Sequence, residues 1–175
     1  GANVLSGEFG KDLLIGGGGN DLIDGGVGDD ILDGGAGDDV YIASSGNDTI
    51  ITGGGSDTFR IFAGGGNDTI QISSGNDQFV DSAAGNDQFF GGGNDQFAGS
   101  GNDHFDGAGE AGNDQFLGGG GNDHLDGTGE TGNDQVDGGG NDQLLGGGND
   151  QVDGGGNDQF LDDGNDQFLG GGGND

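Results

Sequence analysis

The chain has 175 residues, of which 51 are Gly, and its 33 Asp and Glu against 2 Lys and Arg give a formal net charge of -31. That charge repels polyanions, so nucleic acid and insertion into an anionic membrane are excluded as modes of partnership, and cations are the natural partners. With hydrophobic residues at 27% and no Cys, the chain lacks the apolar material of a two-layer core and has neither disulfides nor thiolate zinc sites to staple it.

No apolar run approaches the length of a membrane-spanning helix. The opening Gly1-Ala2-Asn3, without Met or a signal-like segment, is that expected of a mature fragment or a piece cut from something longer.

Along the chain the dominant feature is self-similarity. Gly-x-Asp triplets end at Asp12, Asp21, Asp30, Asp39, Asp48, Asp57, Asp68, Asp77, Asp87, Asp95, Asp103, Asp114, Asp123, Asp134, Asp142, Asp150, Asp158, Asp166 and Asp175, and 15 of these 19 are Gly-Asn-Asp. The spacing is a strict 9 residues up to Asp57 and then varies between 8 and 11. Residues 1–175 therefore read as a single repeat array, with regular nonapeptides in 1–60 and irregular repeats in 61–175.

Two residues after each Asp stands Leu14, Ile23, Leu32, Tyr41, Ile50, Phe59, Ile70, Phe79, Phe89, Phe97, Phe105, Phe116, Leu125, Val136, Leu144, Val152, Phe160 or Phe168. All 18 are apolar or aromatic in a chain that is 27% hydrophobic, which chance does not produce. Each repeat thus has one short strand sending one side chain inward. The irregular steps are expected to add or remove residues in the turn or the outgoing strand and to leave the Asp-x-apolar unit intact.

"GGGGNDLID" (16–24), "GGVGDDILD" (25–33) and "GGAGDDVYI" (34–42) resemble the repeats-in-toxin (RTX) nonapeptide Gly-Gly-x-Gly-x-Asp-x-U-x, where U is bulky and apolar. The resemblance implies an all-β fold, a right-handed parallel β-roll or β-solenoid, with six-residue Gly-rich turns binding calcium and three-residue strands facing each other across a thin core. It implies multiple calcium ions as cofactor and a metal-binding role for the triplet Asp residues from Asp12 to Asp166. It also implies secretion through a type I machine to the cell exterior.

The chemistry fits, because calcium takes six to eight oxygen ligands and Gly-rich turns can aim several carbonyls at one point. If each nonapeptide makes half a coil, Asp12 lies next to Asp30, Asp21 next to Asp39, Asp30 next to Asp48 and Asp39 next to Asp57. An ion between such turns neutralises their repulsion. Without calcium the chain is expected to be disordered.

From Asp87 onward the repeats shorten. Units such as "GGGNDQVD" are expected either to tighten the turn to five residues or to change its coordination. "GAGEAGND" (107–114) and "GTGETGND" (127–134) read as bulges from a turn, with Glu110 and Glu130 as solvated loop residues, and "DTFRIFAGGGND" (57–68) as a lengthened strand carrying Arg60. Gln78, Gln88, Gln96, Gln115, Gln135, Gln143, Gln151, Gln159 and Gln167 follow Asp and point outward as an amide ladder, suited to lateral contact between solenoids. His104 and His124 take the same outward slot, whereas Tyr41 and the Phe series point inward.

The function expected is a secreted, calcium-binding structural or adhesive solenoid with no catalysis of its own, its ends continued by further repeats or covered by neighbouring copies in a fibre or surface layer. The alternatives are the calcium-dependent C-terminal tail of a type I-secreted metalloprotease, lipase or pore-former, and an ice-binding adhesin segment using Thr49, Thr58 and Thr69.

Overall fold

A computed structural model describes residues 1–61, 66–81, 85–107, 112–127, 132–162 and 164–169. The described residues form 19 strands and no helix. Successive strands alternate between two parallel sheets, one of ten strands beginning at Val4–Ser6 and one of nine beginning at Leu13–Gly18. Each strand therefore pairs with the strand two repeats away, and two repeats make one coil of a β-solenoid, as the half-coil reading required.

Register is set by the Asp-x-apolar unit, which stays aligned from coil to coil; the shift between Leu22–Val27 and Val40–Ser45 falls after that unit, around Gly26. Ile23 pairs with Tyr41, Tyr41 with Phe59, and Phe59 with Phe79 in one sheet. In the other, Leu14 pairs with Leu32, Phe89 with Phe105, and Phe105 with Leu125. This holds although the residues per coil vary from 18 between Asp30 and Asp48 to 20 between Asp48 and Asp68 and 16 between Asp87 and Asp103. A one-residue slip would turn the inward column out to solvent, so the turns absorb the length differences and the strands do not.

The predicted inward column is the core as far as Phe160, whereas its last member, Phe168, is 47% exposed in the last described strand, Gln167–Phe168. Ile23, Leu32, Tyr41, Ile50, Phe59 and Ile70 are fully buried, and the column continues buried from Phe79 to Val152, with Leu14 and Phe160 partly buried at its ends. Along one sheet its aromatic members follow one another, Tyr41 stacked on Phe59 at 4.8 Å and 7°, then Phe59 to Phe79 at 5.9 Å and Phe79 to Phe97 at 6.2 Å between ring centroids, as parallel in-register pairing requires. Across the core the two sheets meet through Phe79 edge-on to Phe89 at 4.4 Å and Phe97 tilted against Phe105 at 4.6 Å.

Two expectations are refined. The strands of the early repeats, such as Leu22–Val27 and Ile31–Ala36, run six residues into the Gly-Gly turn, and those of later repeats are shorter, as in Gln96–Gly99 and His104–Asp106. The strand Thr58–Ile61 has four residues, as many as Gln78–Asp81 beside it, and residues 62–65, on which the lengthening expected after Arg60 falls, lie outside the described residues. The inserts at 108–111 and 128–131, with Glu110 and Glu130, lie outside the described residues, but strands on either side of both pair without a shift: His104 with His124 and Gln115 with Gln135.

Candidate metal centre

The triplet Asp residues form two columns, one along each edge of the solenoid. Asp12, Asp30, Asp48, Asp68, Asp87, Asp103, Asp123, Asp142 and Asp158 follow one edge. Asp21, Asp39, Asp57, Asp77, Asp95, Asp114, Asp134, Asp150 and Asp166 follow the other. The four expected neighbour pairs are all present, and the same relation runs through every later coil.

Within a column each Asp donates its backbone N–H to Oδ1 of the Asp one coil further on, at 2.9 Å from Asp12 to Asp30 and 2.7 Å from Asp39 to Asp57. Its carbonyl accepts the N–H of the residue after that next Asp, as in Ile31 to Asp12 at 2.9 Å and Gln96 to Asp77 at 2.9 Å. These bonds fix the carboxylate by one oxygen and leave the other. All the columns' Asp except Asp12 and Asp166, at the two ends, are buried. The carboxylates thus turn inward beneath the turn and do not face the solvent.

The second oxygen is where the site is incomplete. Oδ2 of Asp12, Asp21, Asp30, Asp39, Asp57, Asp68, Asp77 and Asp150 is shut off from solvent with no hydrogen-bond partner. A buried anionic oxygen without a partner is costly. In the first four of these it faces the first Gly of its own turn: a Cβ built on Gly25 would lie 2.8 Å from Asp30 Oδ2, and one on Gly7 2.7 Å from Asp12 Oδ2. The glycine therefore leaves open the space into which this oxygen points.

The turn itself differs between the two parts of the array. In the nonapeptide turns ending at Asp21, Asp30, Asp39 and Asp57 two glycines have positive φ, such as Gly26 at 89° and Gly28 at 136°. This alternation lets the turn carbonyls swing toward one side. In later repeats at most one described glycine per turn keeps a positive φ, as at Gly93 and Gly101, both at 146°. In the eight-residue units Oδ2 faces the Gly four positions back, with 2.5 Å from Asp103 to a Cβ on Gly99, instead of five. Of the two outcomes expected for the short units, the structure has the tightened turn.

Burial dominates the electrostatics. It pushes the carboxyls up from 3.8, to about 6 at Asp48, Asp68 and Asp123, about 7 at Asp57 and about 8 at Asp87, with the negative charge of coil neighbours adding and the donated backbone N–H opposing. Asp30, Asp39, Asp77, Asp103, Asp114, Asp142 and Asp150 are raised for the same first reason. Folded without a counter-ion, Asp57 and Asp87 resist ionisation near neutral pH.

Among the described residues no three His, Cys, Asp or Glu side chains gather as a metal-holding set. One inward carboxylate per turn cannot form such a set, so any ion at these turns takes the rest of its shell from backbone carbonyls. Calcium does this readily, while zinc, which prefers four nitrogen or sulfur ligands, does not. The donor set, the unpartnered Oδ2 and the glycine-lined space fit calcium. Bound there, an ion would supply positive charge, and the carboxylates would hold it by Oδ2 while Oδ1 keeps the coils in register.

Two features escaped the sequence reading. Asp81 is buried at 7% exposure in an inward slot that in most repeats holds Gly, and its charge helps raise Asp68, Asp87 and Asp103. Its signal was there: an acid four residues after Asp77, where Gly25, Gly34, Gly91 and Gly99 stand in other repeats. The second is the residue just before each Asp. Asn67, Asn86, Asn102, Asn122, Asn141 and Asn157 stack along one edge, each Oδ1 up to Asn141 accepting the backbone N–H of the next at 2.7–3.1 Å.

Five stretches of the chain, residues 1–32, 33–60, 46–79, 97–129 and 108–145, match the model of the RTX calcium-binding nonapeptide repeat (4 copies), together well over half of its length. The chain belongs to that family, and its repeats bind multiple calcium ions. Comparison with characterised proteins and with solved structures gives no match.

Proposed function

We propose that the chain is a secreted structural or adhesive solenoid whose fold is switched on by calcium at the two Asp columns, Asp12 to Asp158 and Asp21 to Asp166, and which has no catalytic role of its own. The observation that carries this reading is the row of buried, unpartnered Oδ2 atoms, those of Asp12, Asp21, Asp30 and Asp39 each beside a glycine of its own turn. An array of such turns folds only where calcium is plentiful. In a calcium-poor cytosol it stays extended, and it folds outside, where millimolar calcium exceeds the roughly 0.1–1 mM affinity of extracellular modules.

Assembly into a fibre or layer is supported by the flat outward faces. The Gln78, Gln96, Gln115 and Gln135 side chains join in an exposed ladder, with Nε2 to Oε1 distances of 3.5, 3.3 and 3.2 Å. An ice-binding face draws less support: Thr49 and Thr69 pair in one sheet, but Thr58 belongs to the other, where it pairs with Val40 and Gln78.

Far-ultraviolet circular dichroism in calcium-stripped buffer and then in excess calcium tests the switch. Conversion from coil to sheet is expected, and an unchanged sheet signal in both overturns the reading. Electron microscopy of the calcium-loaded material tests assembly, with regular filaments or sheets expected and dispersed particles at high concentration against it.

A further inference from the structure

One cluster of metal-ligating side chains lies outside the calcium turns. The strands His104–Asp106 and His124–Asp126 are neighbours in the nine-stranded sheet, with His104 opposite His124 and Asp106 opposite Asp126. The imidazoles stack at 4.8 Å between centroids and 8° between planes. On either side the same outward column holds Gln88 and Gln143.

His and Asp alternate along each strand, so all four side chains emerge from the same outer face. The two coils concerned, 101–120 and 121–140, are near copies, "GNDHFDGAGEAGNDQFLGGG" and "GNDHLDGTGETGNDQVDGGG", and both keep the His-x-Asp. His124 Nδ1 is closed off from solvent and has no hydrogen-bond partner.

We propose that the His104–His124 pair is a binding site for a borderline-soft divalent transition metal of the copper, nickel or zinc class, separate from the calcium columns. Imidazole nitrogen suits these ions and calcium avoids it, so the two kinds of site do not compete. No third His, Cys, Asp or Glu side chain among the described residues completes a metal-holding set, so the pair supplies two nitrogens and water the remaining ligands.

Two bonds of about 2.0–2.1 Å to one ion span at most about 4.2 Å between nitrogens. An imidazole nitrogen binds in the plane of its ring, so rings that lie 8° from parallel at 4.8 Å must turn out of the stack toward each other before both lone pairs meet one ion. The torsion that does this, χ2 of His, is broad, and at His124 Nδ1 no hydrogen bond has to be given up. Asp106 and Asp126, on the same face, add negative charge beside the pair, and the charge of -31 on the whole chain raises the local concentration of any cation.

The test is titration of the calcium-saturated full chain with Cu2+ alone, followed by electron paramagnetic resonance, in which coupling to imidazole nitrogen marks the ligands. His104→Gln and His124→Gln are the informative variants, because Gln88 and Gln143 show that the ladder accepts Gln at this slot, and circular dichroism in calcium verifies their fold. One Cu2+ per chain with nitrogen coupling is expected, weakened at least about tenfold by either substitution and stripped of nitrogen coupling by both. Copper bound through oxygen only, or a His124→Gln protein that binds as tightly as the parent, overturns the proposal.

Discussion

Asp57→Asn separates the two roles of a column carboxylate, because the amide keeps the acceptor but loses the charge. Asp57 is 1% exposed; its Oδ1 accepts the Asp39 N–H at 2.7 Å and its own N–H donates to Asp77 at 2.7 Å, while Oδ2 has no partner. Burial, then the charges of Asp77, Asp39 and Asp38, push its carboxyl from 3.8 to about 7. At about 1.4 kcal/mol per pH unit the whole difference would be about 4 kcal/mol, and solvent screening at the rim of the turn reduces it to about 1–2 kcal/mol.

Above pH 7 and without calcium, Asp57→Asn therefore stabilises the folded form by that amount. In excess calcium the sign reverses, since a lost site costs about 1–3 kcal/mol when the ion exceeds its dissociation constant by roughly ten- to a hundredfold. The assay is folded fraction by circular dichroism against free calcium at pH 8, with sucrose added to both proteins to bring the calcium-free end into range. The two curves are expected to cross, and the slope of log folding constant against log calcium to drop by about one ion in the variant. A parallel displacement with unchanged slope would refute the reasoning, because it would make Asp57 a hydrogen-bond acceptor and nothing more.

The raised carboxyls also fix the direction of pH dependence. In calcium-free buffer the folded form holds more protons than the unfolded chain between 3.8 and about 8, so sheet content is expected to be highest near the acid end and to fall as pH rises through that window. A pH series of circular dichroism spectra in resin-stripped buffer checks this, and sheet content that grows with pH contradicts it. Gly46→Ala puts a Cβ into the Gly28 carbonyl at a φ of 131° and is expected to cost more than about 2 kcal/mol, whereas Gly18→Ala meets open space and should leave calcium-loaded thermal melting nearly unchanged. Phe59→Ala removes a fully buried ring stacked on Tyr41 and is expected to cost about 3–5 kcal/mol in the same melt. Asn102→Ala deletes the acceptor of the Asn122 N–H at 2.7 Å and should cost about 1 kcal/mol, measured by urea denaturation in excess calcium.

What the sequence revealed was everything that depends on phase. The column from Ile23 to Val152, the edges traced by Asp12 and Asp21, and the outward Gln78 and Gln96 all follow from a side chain alternating along a short strand, and a two-residue period survives any change in turn length. The inside of the turns could not be read in that way. That Asp30 turns its Oδ2 inward against Gly25, and that Gly26 has a positive φ whose counterpart is missing in the turns ending at Asp95 and Asp103, are matters of backbone torsion, which spacing does not encode. The Asn column was hidden for a different reason. Asn next to Asp read as part of a turn motif, and only the stacking of coils brings Asn102 Oδ1 to the N–H of Asn122.

These columns divide the labour along the array. In the nonapeptides the slot before the Asp holds Asn20, Asp29, Asp38, Asn47 and Ser56, an irregular set in which Asp29 is paired with Lys11. Beyond Asn67 it is Asn at nearly every described repeat, and amides link coil to coil through Asn86, Asn102 and Asn122. An amide ladder carries no charge and repeats a hydrogen bond at each rung, so it needs no counter-ion. The early coils bond through the same slot but onto charged acceptors, Asp29 and Asp38 taking the Asn47 and Ser56 N–H at 3.0 Å, and are expected to depend most on calcium, whereas the later coils use neutral amides over a simpler turn. Calcium removal is therefore expected to melt the array from the nonapeptide side, with hydrogen exchange lost first at the Asp30 and Asp39 amides and last between Asn86 and Asn141. Uniform loss of protection along the chain would mean that the ions, and not the amides, set the stability of both parts.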